Sequence, residues 1–297
     1  MSVRHMSSGP VLRLRYRLRR VLAEVASVTL GVVLLVWSLA PVYNILLIAL
    51  DREEGDIEFE GIIWPPDPSL QSFHAVLTQG YWLVEDFWHQ FGNSFFIGLM
   101  TMSLTVLIGS LASFAFGRIR LTKGWLLVNA PLLTYVVPAS FLVIPFSRLM
   151  VSYGLSNSLW AIIAANVTFA APYAILILQQ YATLIPIELD EAARVDGASP
   201  AQVYRRIYLP LMAPALAAVG TYALLLAWNE YLYQYVLLSS TRNMTVAVAI
   251  AQFFNSDEAP WNYMMAMAII YSIPPIVIFY ALRRYMAAGL TRGAVKG

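Results

Sequence analysis

Residues able to do chemistry are scarce in this 297-residue chain, and most of them stand alone. There is no cysteine, which excludes disulfides, a thiol nucleophile and any cysteine-based metal site. His5, His74 and His89 are isolated from one another and form no metal-spacing motif. A phosphate-cradling GxxxxGK loop ending in Ser or Thr is absent from the sequence, so no ATP site is written here. Residues 51–91 hold nine carboxylates against one arginine, Arg52. Calcium would suit the run DREEGDIEFE, but it lacks EF-hand spacing and reads as a solvated acidic face. Glu230, in Trp228-Asn229-Glu230-Tyr231, lies inside an apolar run. A charge there faces protein or a water-filled path, so Glu230, with Asn229 beside it, either lines such a path or bonds across helices.

The remaining polar concentration is 188–214, ELDEAARVDGASPAQVYRRIYLPLMAP. Four acidic residues (Glu188, Asp190, Glu191, Asp196) and three arginines (Arg194, Arg205, Arg206) separate two apolar runs. The spacing predicts two short helices and a turn. Pro186 suits the start of the first, and 187–195 contains good helix formers. Gly197 falls where a left-handed cap belongs. Ser199, Pro200 and Gln202 restart a helix as N-cap, first turn and capping-box partner. Pro210 and Pro214 are expected to disturb that second helix. Leu189, Ala192 and Ala193 share one face at i, i+3, i+4 spacing. That face is either a small knob for a partner's cleft or one side of a solvated hairpin.

The elements that must position these residues are membrane helices. The chain is 59% hydrophobic and 12% charged, against about 25% charged in a soluble domain. Apolar runs recur at 21–50, 94–116, 125–146, 159–178, 211–238 and 263–282, each near the roughly 20 residues that cross the hydrocarbon core. The first is too long for a cleaved signal and reads as a retained anchor. The expected fold is therefore all-α: a polytopic membrane protein with six transmembrane helices. Residues 1–20 form a basic segment, and 21–297 form one transmembrane domain. Within it lie the loop 181–214, outer loops 51–92 and 239–262, and a tail at 283–297. Sixteen Lys and Arg fall on the side of both termini and 181–214, against three (Arg52, Arg148, Arg242) opposite. This asymmetry puts both termini and that loop in the cytoplasm. Prolines interrupt the third run at 131, 138 and 145, the fourth at 172 and the sixth at 274 and 275. Asn93-Ser94, Asn129, Asn166 and Gln179 are weaker polar signals that helix packing explains.

Glu191-Ala192-Ala193, then Asp196-Gly197-Ala198, then Ile207-Tyr208-Leu209-Pro210-Leu211, resemble the EAA loop of ABC-importer permeases. Asn93-Ser94 and 112–118 (ASFAFGR) are similar to the NS and AYAFAR pieces of the carbohydrate importer permeases. Residues 138–145 with Gly154-Leu155-Ser156-Asn157, and Trp228-Asn229-Glu230, resemble their MIP…IP…GLxNT and WNE pieces. The ending GLTRGAVKG is similar to their GLTxGAVKG terminus, which points to the maltose-importer-type second permease. The likeness runs over about 93–297. Phe114 and Gly117 depart from the usual Tyr and Ala, and the acidic outer loop has no counterpart in it.

The resemblance implies a permease subunit of a bacterial-type inner membrane, importing a carbohydrate or glycoside. Its implied partners are a second permease, two ATP-binding subunits and an extracytoplasmic solute-binding protein, with no nucleic acid. No cofactor is implied on this chain; ATP and magnesium belong to the partner ATPase. The resemblance implies cytoplasmic coupling helices in 181–214, where Glu191, Ala192, Ala193, Asp196, Gly197 and Ala198 would dock on that ATPase. Asn255, Ser256, Asp257 and Glu258 would reach the binding protein, unless 239–262 is a plain connector. Two other readings stay open. One is a permease for a polyamine or phosphorylated polyol. The other is an ion-coupled carrier or intramembrane enzyme, which the few intramembrane ionisable residues, Glu24 and Glu230, support poorly.

Overall fold

The computed structural model describes residues 10–52, 63–65, 67–118, 129–255 and 260–293. Every regular element among them is helical. In chain order these are α1 (Pro10–Leu50), α2 (Gln71–Thr78), α3 (Phe87–Arg118), α4 (Ala139–Ser152) and α5 (Leu159–Ala182). The amphipathic α6 (Glu188–Val195) and one-turn α7 (Pro200–Val203) follow. Then come α8 (Leu209–Asn229), α9 (Leu232–Leu237), α10 (Val246–Gln252) and α11 (Trp261–Gly293).

Five helical stretches among the described residues have membrane length and apolarity: Leu18–Leu50, Trp82–Arg118, Leu159–Ala182, Pro200–Asn229 and Trp261–Tyr285. The run at 125–146 is divided instead. A 3-10 segment, Ala130–Tyr135, leads to Pro138 at φ −56° and ψ 135°, where the helical path stops. The 14 residues of α4 then rise only about 21 Å at 1.5 Å per residue. Pro138 stands at the division, while Pro131 opens the 3-10 segment and Pro145 lies inside α4, which continues through it. Pro172 and the pair Pro274-Pro275 lie inside α5 and α11, which continue through them.

The expected run 211–238 is also two elements. Helix α8 ends at Asn229, Glu230 takes an extended ψ of 126°, and α9 starts afresh at Leu232. Pro210, expected to disturb its helix, does so without breaking it. Residues Tyr204–Tyr208 form a π turn in which Leu209 N–H donates to Tyr204 O, and the helix runs on into α8. The wider turn takes up the register next to a residue with no N–H of its own.

Helix α3 is the centre of the packing, held between α5 and α8, while α1 lies against α11. Close approach requires small residues. A Cβ on Gly109 would sit 3.0 Å from Leu178 Cδ1 and 3.2 Å from Ala174 Cβ, so α3 and α5 meet where side chains are minimal. Residues 246–253 pack into the bundle. Helix α10 folds back, and Val246, Ala249 and Phe253 join Val76, Val84, Phe87 and Met267 in one buried cluster.

Candidate functional site

Helix α6 is largely exposed apart from Asp190, and its end has a fixed geometry. Gly197 sits at φ +83°, the left-handed region that a Cβ disfavours. Ala198 N–H donates to Ala193 O at 2.9 Å and Gly197 N–H to Arg194 O at 3.0 Å, the pair of bonds of a Schellman cap. Backbone groups thus hold the turn. The next helix opens with a capping box: Ser199 N–H donates to Gln202 Oε1 at 2.7 Å, and Gln202 N–H to Ser199 Oγ at 3.3 Å.

Glu191, Ala192, Asp196 and Gly197 are exposed, and Ala193 and Ala198 half-buried. Ala193, Asp196, Gly197 and Ala198 border a cleft of about 370 Å³ with Gln202, Val203, Arg206 and Ile207. Leu189 and Val195 are bare to the outside, Val195 at 88% exposure. The six residues are therefore one accessible surface, small in side-chain volume and apolar at its edges. Glu191 and Arg194 form no ion pair with each other among the described residues.

Beneath this surface lies a brace that the sequence did not reveal. Asp190, on the inward side of α6, is 2% exposed. Its Oδ2 lies 2.7 Å from Arg118 Nε at the end of α3. Arg118 also donates from Nη2 to Ile185 O at 3.3 Å, and its Cζ stands 6.0 Å from the Tyr208 ring centroid. Two hydroxyl pairs run alongside, Ser110 Oγ with Tyr204 Oη at 2.7 Å and Ser113 Oγ with Tyr208 Oη at 2.8 Å. Phe114 packs edge-on against both tyrosine rings. In the sequence Arg118 is one more positive loop residue. No local pattern marks the pair, since 71 residues lie between the two charges in the chain.

Asn229 and Glu230 separate in space. Glu230 is a helix cap: its Oε1 accepts from Tyr233 N–H at 2.7 Å and its Oε2 from Gln234 N–H at 3.1 Å. Gln234 Nε2 returns a bond to Glu230 O at 2.5 Å. The carboxylate is thus engaged with the donors at the start of α9. Asn229 is exposed and borders a cleft of about 490 Å³ with Trp228, Tyr271, Pro275, Phe279 and Tyr280. Trp228 stacks on Tyr271 at 4.7 Å between centroids, and Tyr271 Oη donates to Trp228 O at 2.8 Å.

At the end of the bundle opposite α6, neutral amides organise the chain. Asn157, at φ +52°, accepts on Oδ1 from Ser239 N–H at 3.0 Å and Ser240 N–H at 3.3 Å. Its backbone oxygen accepts from Asn243 Nδ2 at 2.6 Å. Asn93 Nδ2 donates to Arg242 O at 2.8 Å and Met244 O at 2.9 Å, and Ser94 Oγ accepts from Val246 N–H at 3.1 Å. Thr245 Oγ1 donates to Gln234 Oε1. Asn93, Ser94, Asn157 and Glu230, drawn from three separate motifs, thus converge on 230–246. Asn255 is exposed beyond α10, while Ser256, Asp257 and Glu258 lie outside the described residues, as do 294–297 of the tail and most of the acidic run at 53–62.

Membrane-length helices joined through small residues, with a largely exposed amphipathic helix braced at the end of α3, define an all-helical membrane protein. Residues 12–292 match the family described as binding-protein-dependent transport system inner membrane component, and the chain belongs to it. It is 37% identical over 207 residues to the trehalose transport system permease protein SugB of Mycobacterium tuberculosis, covering 69% of this chain and 76% of that one. It is 30% identical over 260 residues to the arabinooligosaccharides transport system permease protein AraQ of Halalkalibacterium halodurans, covering 86% and 91%. Its fold is similar to a chain of a bacterial ABC transporter involved in the import of the acidic polysaccharide alginate. There the TM-score is 0.74 at 22% identity, over 91% of this chain and 98% of that one. The family likeness drawn from the motifs thus extends over nearly the whole chain.

Proposed function

We propose that this chain is the permease subunit of an ATP-driven importer for a carbohydrate or glycoside. It forms half of the translocation path beside a second permease, with two ATP-binding subunits on one face and an extracytoplasmic solute-binding protein on the other. ATP and magnesium bind on the partner ATPase. The observation that carries this reading is the α6 surface: small residues, a glycine-dependent turn and exposed Leu189 and Val195, all on a helix anchored from beneath. Such a surface is shaped to enter a cleft on another protein. The carbohydrate assignment is supported by the trehalose and arabinooligosaccharide systems named for the relatives.

Glu191, Ala192, Ala193, Asp196, Gly197 and Ala198 form the docking surface in this proposal. Asn229 borders the path, and Glu230 acts by fixing the break after α8. Asn255 to Glu258 reach toward the binding protein. Both termini and α6 face the cytoplasm, as the Lys and Arg distribution supports. The divided segment 130–152 completes six crossings. The test is uptake in cells lacking this chain, across a panel of sugars, glycosides, polyamines and phosphorylated polyols. Restoration of sugar or glycoside uptake by the chain, dependent on a co-purifying ATPase, is the expected result. Solute flux through the chain reconstituted alone and driven by an ion gradient would overturn it.

A further inference from the structure

One guanidinium touches three elements that the chain keeps apart. Arg118 reaches Asp190 on α6 at 2.7 Å, the carbonyl of Ile185 in the connection from α5 at 3.3 Å, and the ring of Tyr208 in the π turn. The two charged side chains are only 6% and 3% exposed. A solvated pair would hold its partners loosely. A pair kept out of water resists separation, because each charge would be left buried and uncompensated. The Ser110–Tyr204 and Ser113–Tyr208 bonds leave the same two turns of α3 and reach the same π turn. Beyond that turn come Pro210 and Pro214, which offer no backbone donor to the helix. Bending is therefore easiest beyond the grip, at 209–214, and not within it.

We infer that Arg118 is a positioning residue that makes the end of α3, helix α6 and the π turn one rigid lever. Displacement of α6 is carried into α3, the helix at the centre of the bundle. This rests on the reading of α6 as the ATPase-docking helix. It adds which transmembrane helix receives the motion and which buried contact transmits it.

The cysteine-free sequence allows a direct test. Nitroxide labels at Glu188→Cys and Leu111→Cys, both exposed positions, report the α6–α3 distance in the complex assembled with cysteine-free partner subunits. In the parent chain that distance is expected to be the same without nucleotide and with ATP bound. In Arg118→Gln and Asp190→Asn it is expected to broaden or to change with nucleotide, while the ATPase still co-purifies. Uptake per ATP hydrolysed should then fall about 5-fold or more, the low end of ordinary coupling. Asp190→Glu, which keeps the charge, should restore both readouts in part. A nucleotide-dependent 188–111 distance in the parent chain overturns the lever even if the Arg118 and Asp190 variants do not accumulate. Unchanged coupled uptake in Arg118→Gln overturns it equally. Failure of the ATPase to co-purify with the parent chain strikes the docking reading instead.

Discussion

The two ends of the bundle solve the same problem with different chemistry. At the α6 end, a loop is fixed to α3 by a buried ion pair, Arg118 with Asp190, and two hydroxyl contacts. At the α10 end, 238–246 is fixed by neutral amides, with Asn157 and Asn93 each making several bonds to backbone groups. The neutral network spreads its contribution over many bonds of about 1 kcal/mol each. The charged one concentrates it in a single pair whose halves cannot be left alone. The second arrangement suits the force transmission proposed for α6, since it yields only when both charges are exposed together.

The sharpest way to break that contrast is Asp190→Ala. It leaves Arg118 buried without a counter-charge, and a loss of about 3–5 kcal/mol is expected. Thermal unfolding of the purified protein in lipid nanodiscs measures it. The double variant Arg118→Met with Asp190→Leu should recover most of that loss, since paired removal leaves no orphan charge. A single variant no worse than the double would show that the pair is not sealed from water.

Asn157→Ala tests the other end. It removes the acceptor for Ser239 and Ser240 and replaces a residue at φ +52° with one less suited to it, so about 1–3 kcal/mol is expected. Hydrogen exchange should rise at 239–244 and stay unchanged at 188–198. Protection lost at both ends would mean that the two networks are coupled, contrary to the comparison.

Gly197→Val puts a β-branched side chain at φ +83°, where the strain is about 1–2 kcal/mol. The region is open, with nothing within 4 Å of the added Cβ, so the cost is conformational only. The expected outcome is a small drop in melting temperature with a large loss of ATPase co-purification. Normal co-purification would make 188–198 a solvated hairpin. The smallest effect is expected from Glu230→Gln. The amide keeps one oxygen for the α9 N–H groups, so stability should change by less than about 1 kcal/mol. Loss of uptake with normal abundance in this variant would return Glu230 to the translocation path.

Much of this was legible from local pattern. The apolar runs that became α1, α3, α5, α8 and α11 were visible because membrane length is a property of consecutive residues. The Gly197 turn and the Ser199–Gln202 box were visible because caps act over three or four positions. The misjudged places share a cause. The third run looked continuous by composition, yet Pro138 stops its helix. The run 211–238 also looked continuous, yet its helix ends at Asn229 and the Glu230 carboxylate caps the next.

What the sequence alone determined was the class of protein, the order of its helices and the surface offered by α6. Each depends on the covalent neighbours of a residue, through hydrophobic length, capping and backbone preference. What only the tertiary structure decided was the partner of each buried polar group. Arg118 meets Asp190, and Asn157 meets Ser240, because α3, α5 and α8 pack through particular small-residue faces. Such contacts bring together groups about 70 to 150 residues apart along the chain, and a one-dimensional pattern carries no term for which helix face lies against which.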